Sequence, residues 1–102
     1  MNLQKRKPER SQKYLNWVKS LPCAATGAPA DDAHHGQDIG LGGGMKPSDF
    51  FTMPLTREQH GRRHSAGRVA FERYWGCEEA TAILKTLDKA LHDGVITIEV
   101  HL

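Results

Sequence analysis

Between Glu78 and His92 the apolar residues Ala80, Ile83, Leu84, Leu87, Ala90 and Leu91 recur at the three- and four-residue intervals of one helical face. That spacing predicts an amphipathic helix, and Gly94 is placed to stop it. Near the other end, Tyr14, Leu15, Trp17, Val18 and Leu21 predict a shorter amphipathic helix over Glu9 to Ser20, stopped by Pro22. The residues from Cys23 to Ala33 are turn-rich. Short strands are expected over Ala33 to Gly36 and Phe50 to Leu55, joined by a glycine-rich loop from Gly40 to Pro47. Thr56-Arg57-Glu58-Gln59 has the form of a capping box, so a further helix starts at Thr56. Gly67 permits a break before Val69 to Trp75, and the β-branched run from Val95 to His101 could add a final strand. Phe50, Phe51, Phe71, Tyr74 and Trp75 are expected to build the core with Leu84 and Leu87.

These elements make an α+β fold. At 102 residues the chain reads as a basic, disordered arm over residues 1–8 followed by one domain over 9–102. No apolar run approaches the roughly 20 residues of a membrane span. The charged stretch behind Met1 does not read as a secretory signal. Two cysteines without a C-x-x-C pair suit a reduced, cytoplasmic setting, with one disulfide left open. Residues 1–19 carry six basic side chains against one acidic, whereas the remainder carries eight against eleven. A basic arm that includes Lys5, Arg6 and Lys7 on a near-neutral body fits a polyanion such as DNA; a solvated end with no specific role is the alternative.

The histidines change the picture most. His34 and His35 are adjacent on a predicted strand, so their side chains face opposite ways. His60 and His64 are one turn apart on the predicted helix and share a face. Three imidazoles on a divalent ion, with a fourth beside it to accept a proton, make a hydrolytic site. Imidazole suits zinc; magnesium and manganese remain open. Arg57, Arg62, Arg63, Arg68 and Arg73 crowd the same region and could clamp a phosphate backbone, with Lys46 beside the glycine loop as a weaker contact. A solvated helical face is the other reading of those arginines. The glycine loop lacks the Gly-Lys-Ser/Thr ending of a nucleotide-binding loop.

Taken in order, Ala33-His34-His35, Gly43-Gly44-Met45-Lys46-Pro47-Ser48-Asp49, Pro54-Leu55, His60, His64, Gly67 and Trp75 resemble the HNH, or ββα-metal, endonucleases. Within that superfamily they are most similar to a phage and prophage group that includes the RecA-dependent recombination nuclease Ref. The resemblance spans about Leu21 to Trp75. It implies a small ββα-metal core with flanking helices, in a bacterial host's cytoplasm. It also implies one divalent metal on His34, His60 and His64, with His35 as general base and DNA as substrate. Cleavage would leave a 5′-phosphate and a 3′-hydroxyl. The implied partners are DNA and, as an open alternative, a recombinase filament; the protein could act as monomer or dimer. Phe51 stands where the superfamily usually has a central Asn, so Asp49 is the candidate to orient His35, a turn-capping role being the alternative. The relatives' zinc knuckle of two C-x-x-C pairs reads here as Cys23, Thr26, Thr56 and Gln59, which implies loss of the structural zinc. The rival to an enzyme is a metal-stabilised DNA-binding or recombination accessory protein without catalysis.

Overall fold

The computed structural model describes residues 8–36 and 47–100. Six elements follow in order: α1 (Gln12–Lys19), β1 (Asp32–His35), β2 (Thr52–Leu55), α2 (Arg57–Ala66), α3 (Arg68–Trp75) and α4 (Glu79–His92). The fold is thus a small α+β arrangement of four helices and a two-stranded sheet. The expected arm over 1–8, apart from Pro8, and the glycine loop, apart from Pro47, lie outside the described residues, as do Lys5, Arg6, Lys7 and Lys46.

The two strands pair antiparallel, with His34 opposite Met53 and His35 opposite Thr52. β2 tolerates Pro54 because of which edge that residue presents. The Phe51 and Leu55 carbonyls accept from Gly36 and Asp31 towards β1, while the Pro54 carbonyl accepts from Ala24 on the other edge. The ring nitrogen of Pro54 therefore sits where the β1 ladder requires no donor.

Each helix end is readable in chemistry. The Ser11 hydroxyl accepts from the Tyr14 amide and starts α1 three residues later than expected. The Thr56 hydroxyl accepts from the Gln59 amide, so the expected cap of α2 is present. Gly67, at φ 89°, separates α2 from α3 in a backbone conformation that side-chain-bearing residues rarely adopt.

The core has two centres. Cys23, Met53, Leu55, Phe71, Ala82 and Ile83 form one; Tyr14, Val18 and Ala90 form the other, with Leu87 against both. Three expectations fail here. Tyr74 and Leu84 are 71% and 65% exposed, not core. The buried face of α4 runs through Glu79, Ala82, Ile83, Thr86 and Ala90, turned from the all-apolar stripe so that Glu79 points inward. Residues 95–100 form no strand. The chain turns at Gly94 (φ 73°), the Val95 and Ile96 amides bond back to the Ala90 carbonyl, and both side chains pack on the Tyr14 centre.

Candidate functional site

β1 and α2 bring three histidines together. His34 comes from the middle of the sheet; His60 and His64 come from one face of α2, held at its angle by the Thr56 cap. One ring nitrogen from each lies within 4.8 Å of the others. The ring centroids are 4.8–5.4 Å apart. His34 is buried, His60 half-buried and His64 exposed, so the cluster opens from the core to solvent.

Two carboxylates decide which nitrogens carry the proton. Asp32 Oδ2 lies 3.0 Å from His60 Nδ1, and Glu79 Oε1 lies 3.2 Å from His34 Nε2. An ionised carboxylate only accepts, so His60 donates from Nδ1 and His34 from Nε2. The lone pairs left are Nε2 on His60 and Nδ1 on His34. Each carboxylate is also tied to an arginine: Arg57 donates to Asp32 at 3.1 Å and Arg63 to Glu79 at 2.6 Å. The Arg57 hydrogen bond, then that from His60, holds the Asp32 carboxyl below its ordinary value against the opposing effect of burial. Loss of water around the ring, with His60 and His34 next to it, draws the His64 imidazole below its ordinary value, a direction that favours the neutral form metals require.

His35 faces the other way, as strand alternation requires. Its Nε2 donates to Asp49 Oδ1 at 2.9 Å, leaving Nδ1 as acceptor. Asp49 is 4% exposed and sits in the turn before β2. Burial works against its charge, but hydrogen bonds from His35 and from the Ser11 amide at 2.8 Å outweigh that and draw its carboxyl below the ordinary value. The side-chain cap within this turn comes from Ser48, whose hydroxyl accepts from the Phe50 amide. A hollow of about 450 Å³ is lined by His34, His35, His60 and His64, together with Gln12, Leu15 and Lys19 of α1.

The expected DNA contacts divide. Arg57, Arg62 and Arg68 keep side-chain exposures of 80%, 56% and 37%. Arg63 does not join them: it is 1% exposed and bound to Glu79 in the interior. It lies one turn beyond Gln59 on the buried face of α2, and an arginine surrounded by other surface residues in sequence gave no sign of that. Asp32 and Glu79 were missed altogether. The signal for Glu79 was an acidic residue at the start of a helix, which ordinarily reads as complementing the helix dipole.

The four positions expected, from the HNH resemblance, to match a zinc knuckle are put to other uses. Burial works to raise the Cys23 thiol, but hydrogen bonds from the Thr26 side chain and from the Thr26, Thr56 and Ala25 backbone draw it below its ordinary value. Thr56 caps α2, and Gln59 Oε1 accepts from the Trp75 indole at 2.9 Å. Both cysteines are free thiols.

The family model described as a protein of unknown function, DUF968, matches residues 1–94. The chain belongs to the DUF968 family. It is 43% identical over 97 residues to the uncharacterized protein YdfU of Escherichia coli (strain K12). That match covers 94% of this chain but only 27% of the relative. No solved structure matches it. Among the described residues of this DUF968 chain, no helix is long and apolar enough to cross a membrane.

Proposed function

We propose that this chain is a metal-dependent DNA endonuclease with a ββα-metal (HNH) core and little sequence preference, working in the cytoplasm of a bacterial host. The observation that carries the reading is the junction of two units. One is a three-imidazole cluster whose ring nitrogens lie within 4.8 Å of one another; the other is His35, which lines the same hollow and is hydrogen-bonded to Asp49. The order β1, β2, α2 and the resemblance of the motif string support it.

The donor set fits a divalent cation. Three imidazoles converge, two of them hydrogen-bonded to carboxylates, and three protein ligands leave room for substrate. A bound ion would supply Lewis acidity to a phosphate oxygen and to charge on the departing oxygen. The protein's own part is proton handling. His35 Nδ1 takes the proton of a water that attacks phosphorus, while Asp49 holds Nε2 and stabilises the resulting imidazolium. The P–O3′ bond breaks, and the departing oxygen takes a proton from solvent water to become the 3′-hydroxyl. Asp49 thus fills the place of the superfamily's central Asn. Arg57, Arg62 and Arg68, each paired with a carboxylate and partly or largely exposed, are the candidates to exchange that partner for a phosphate. The sequence carries no recognisable base-reading element, hence the weak sequence preference.

The test is incubation of supercoiled plasmid with the purified chain and Mg²⁺, Mn²⁺, Zn²⁺ or EDTA, beside His35→Ala. Ion-dependent nicking is expected, with activity lost in the variant and its metal content near wild type. Binding of DNA and metal without cleavage under any ion would replace the enzyme with the DNA-binding or recombination accessory reading. Loss of metal from His35→Ala would make His35 a ligand rather than a base.

A further inference from the structure

Glu79 belongs to α4, outside the strand and the helix that carry the histidines, yet its carboxylate reaches His34 of the cluster. It is 2% exposed. Oε1 accepts from His34 Nε2 at 3.2 Å, and Oε2 accepts from Arg63 Nε at 2.6 Å. Its own backbone amide donates to Glu72 Oε2 at 2.7 Å, and Glu72 is in turn bound to Arg68 at 2.8 Å. The start of α4 is therefore held from α2 and α3, and the carboxylate has little freedom to leave His34.

Resting on the metal-centre reading above, we propose that Glu79 is a positioning residue for that centre: by holding the Nε2 proton of His34 it commits this imidazole to ligate through Nδ1. His60, with Asp32 on its Nδ1, presents Nε2 instead, so the two imidazoles offer opposite ring nitrogens to one point. Without an acceptor at Nε2, His34 would share its proton between the two nitrogens, and each molecule protonated on Nδ1 would lack a ligand. Arg63 serves the same end. It pairs with the buried carboxylate through the other oxygen and ties it to α2, which prevents it from moving in to ligate the cation itself. The metal centre is incomplete without α4, although the histidine pattern ends well before it.

Two double variants separate positioning from packing. Arg63→Met with Glu79→Leu removes the ion pair and the acceptor. Arg63→Met with Glu79→Gln removes the same charges but keeps an amide oxygen facing His34. Replacing both partners avoids an unpaired buried charge. On the full chain, Zn²⁺ affinity by calorimetry should fall about 10- to 100-fold in the leucine variant and recover substantially in the glutamine variant. Circular dichroism checks that both fold. Imidazole nitrogen NMR shifts of metal-free wild type should place the His34 proton on Nε2, a readout that survives if either variant fails to fold. Equal Zn²⁺ affinity in two folded variants, or a His34 proton on Nδ1, overturns the role of Glu79 alone. Wild-type protein that takes up no Zn²⁺ overturns the metal centre and this inference with it.

Discussion

Asp49 is buried yet ionised, because the hydrogen bonds it accepts from the Ser11 amide and from His35 exist only for the charged form at full strength. Its carboxyl lies below the ordinary value of 3.8, so folding favours the deprotonated state. The stabilisation is complete above that ordinary value and is lost as pH falls through the lower, folded-state value. An Asn in its place cannot ionise. Asp49→Asn should therefore be less stable than wild type near neutral pH, and the gap should narrow in acid. Urea midpoints at about pH 6 and about pH 3 measure this; a gap that stays constant would remove the charge of Asp49 from the stability of the turn. At this scale the legible residues were those whose type is rare and whose spacing is geometric. His34, His35, His60 and His64 could be placed because strand alternation and the helical turn set their directions. Asp32, Arg63 and Glu79 could not, since charged residues are common and nothing local marks the few that are turned inward.

α2 shows how little apolar surface an element can bury and still be placed. Its buried residues are Gln59 and Arg63, both polar, so packing contributes less to it than to α4. The start of the helix depends on the Thr56 hydroxyl, and so does the angle at which His60 and His64 reach the cluster. Thr56→Ala should cost about 1 kcal/mol, read from urea unfolding. It should also weaken Zn²⁺ binding, because a frayed first turn moves His60. A stability loss with unchanged Zn²⁺ affinity would show that the cluster, not the cap, sets the helix. The capping box made α2 readable because both of its partners lie within four residues. The face of α4 was misjudged for the opposite reason: its inward residues include Glu79 and Thr86, whose partners lie on other elements or in the helix backbone. The expected last strand had suitable composition, but a strand also needs an edge to pair with. After Gly94 the chain turns back on Ala90, and the Pro54 edge of β2 is already engaged by Ala24.

Across the whole molecule, the histidine cluster joins β1 to α2 outside both apolar core centres. The two core centres lie elsewhere, one under β2 and α3, the other between α1 and the end of α4. A cation on His34, His60 and His64 would bind the folded chain and not its separated parts, so it must stabilise by mass action. At a free concentration about 100 times its dissociation constant the gain is about 2.7 kcal/mol. For a domain of this size about 1 kcal/mol moves Tm by roughly 4–8 °C. Saturating Zn²⁺ should accordingly raise Tm by about 10–20 °C, and EDTA should reverse it. His64 is the ligand to remove as a control. It is exposed, so His64→Ala leaves no cavity and should barely change the metal-free Tm, whereas His34→Ala would confound loss of a ligand with loss of buried volume. With His64→Ala the Zn²⁺-induced rise should largely vanish. A rise that persists in this variant would mean that Zn²⁺ binds elsewhere on the chain. No rise in wild type would leave the cluster as a group of hydrogen-bonded histidines, and the hydrolytic reading would lose its centre.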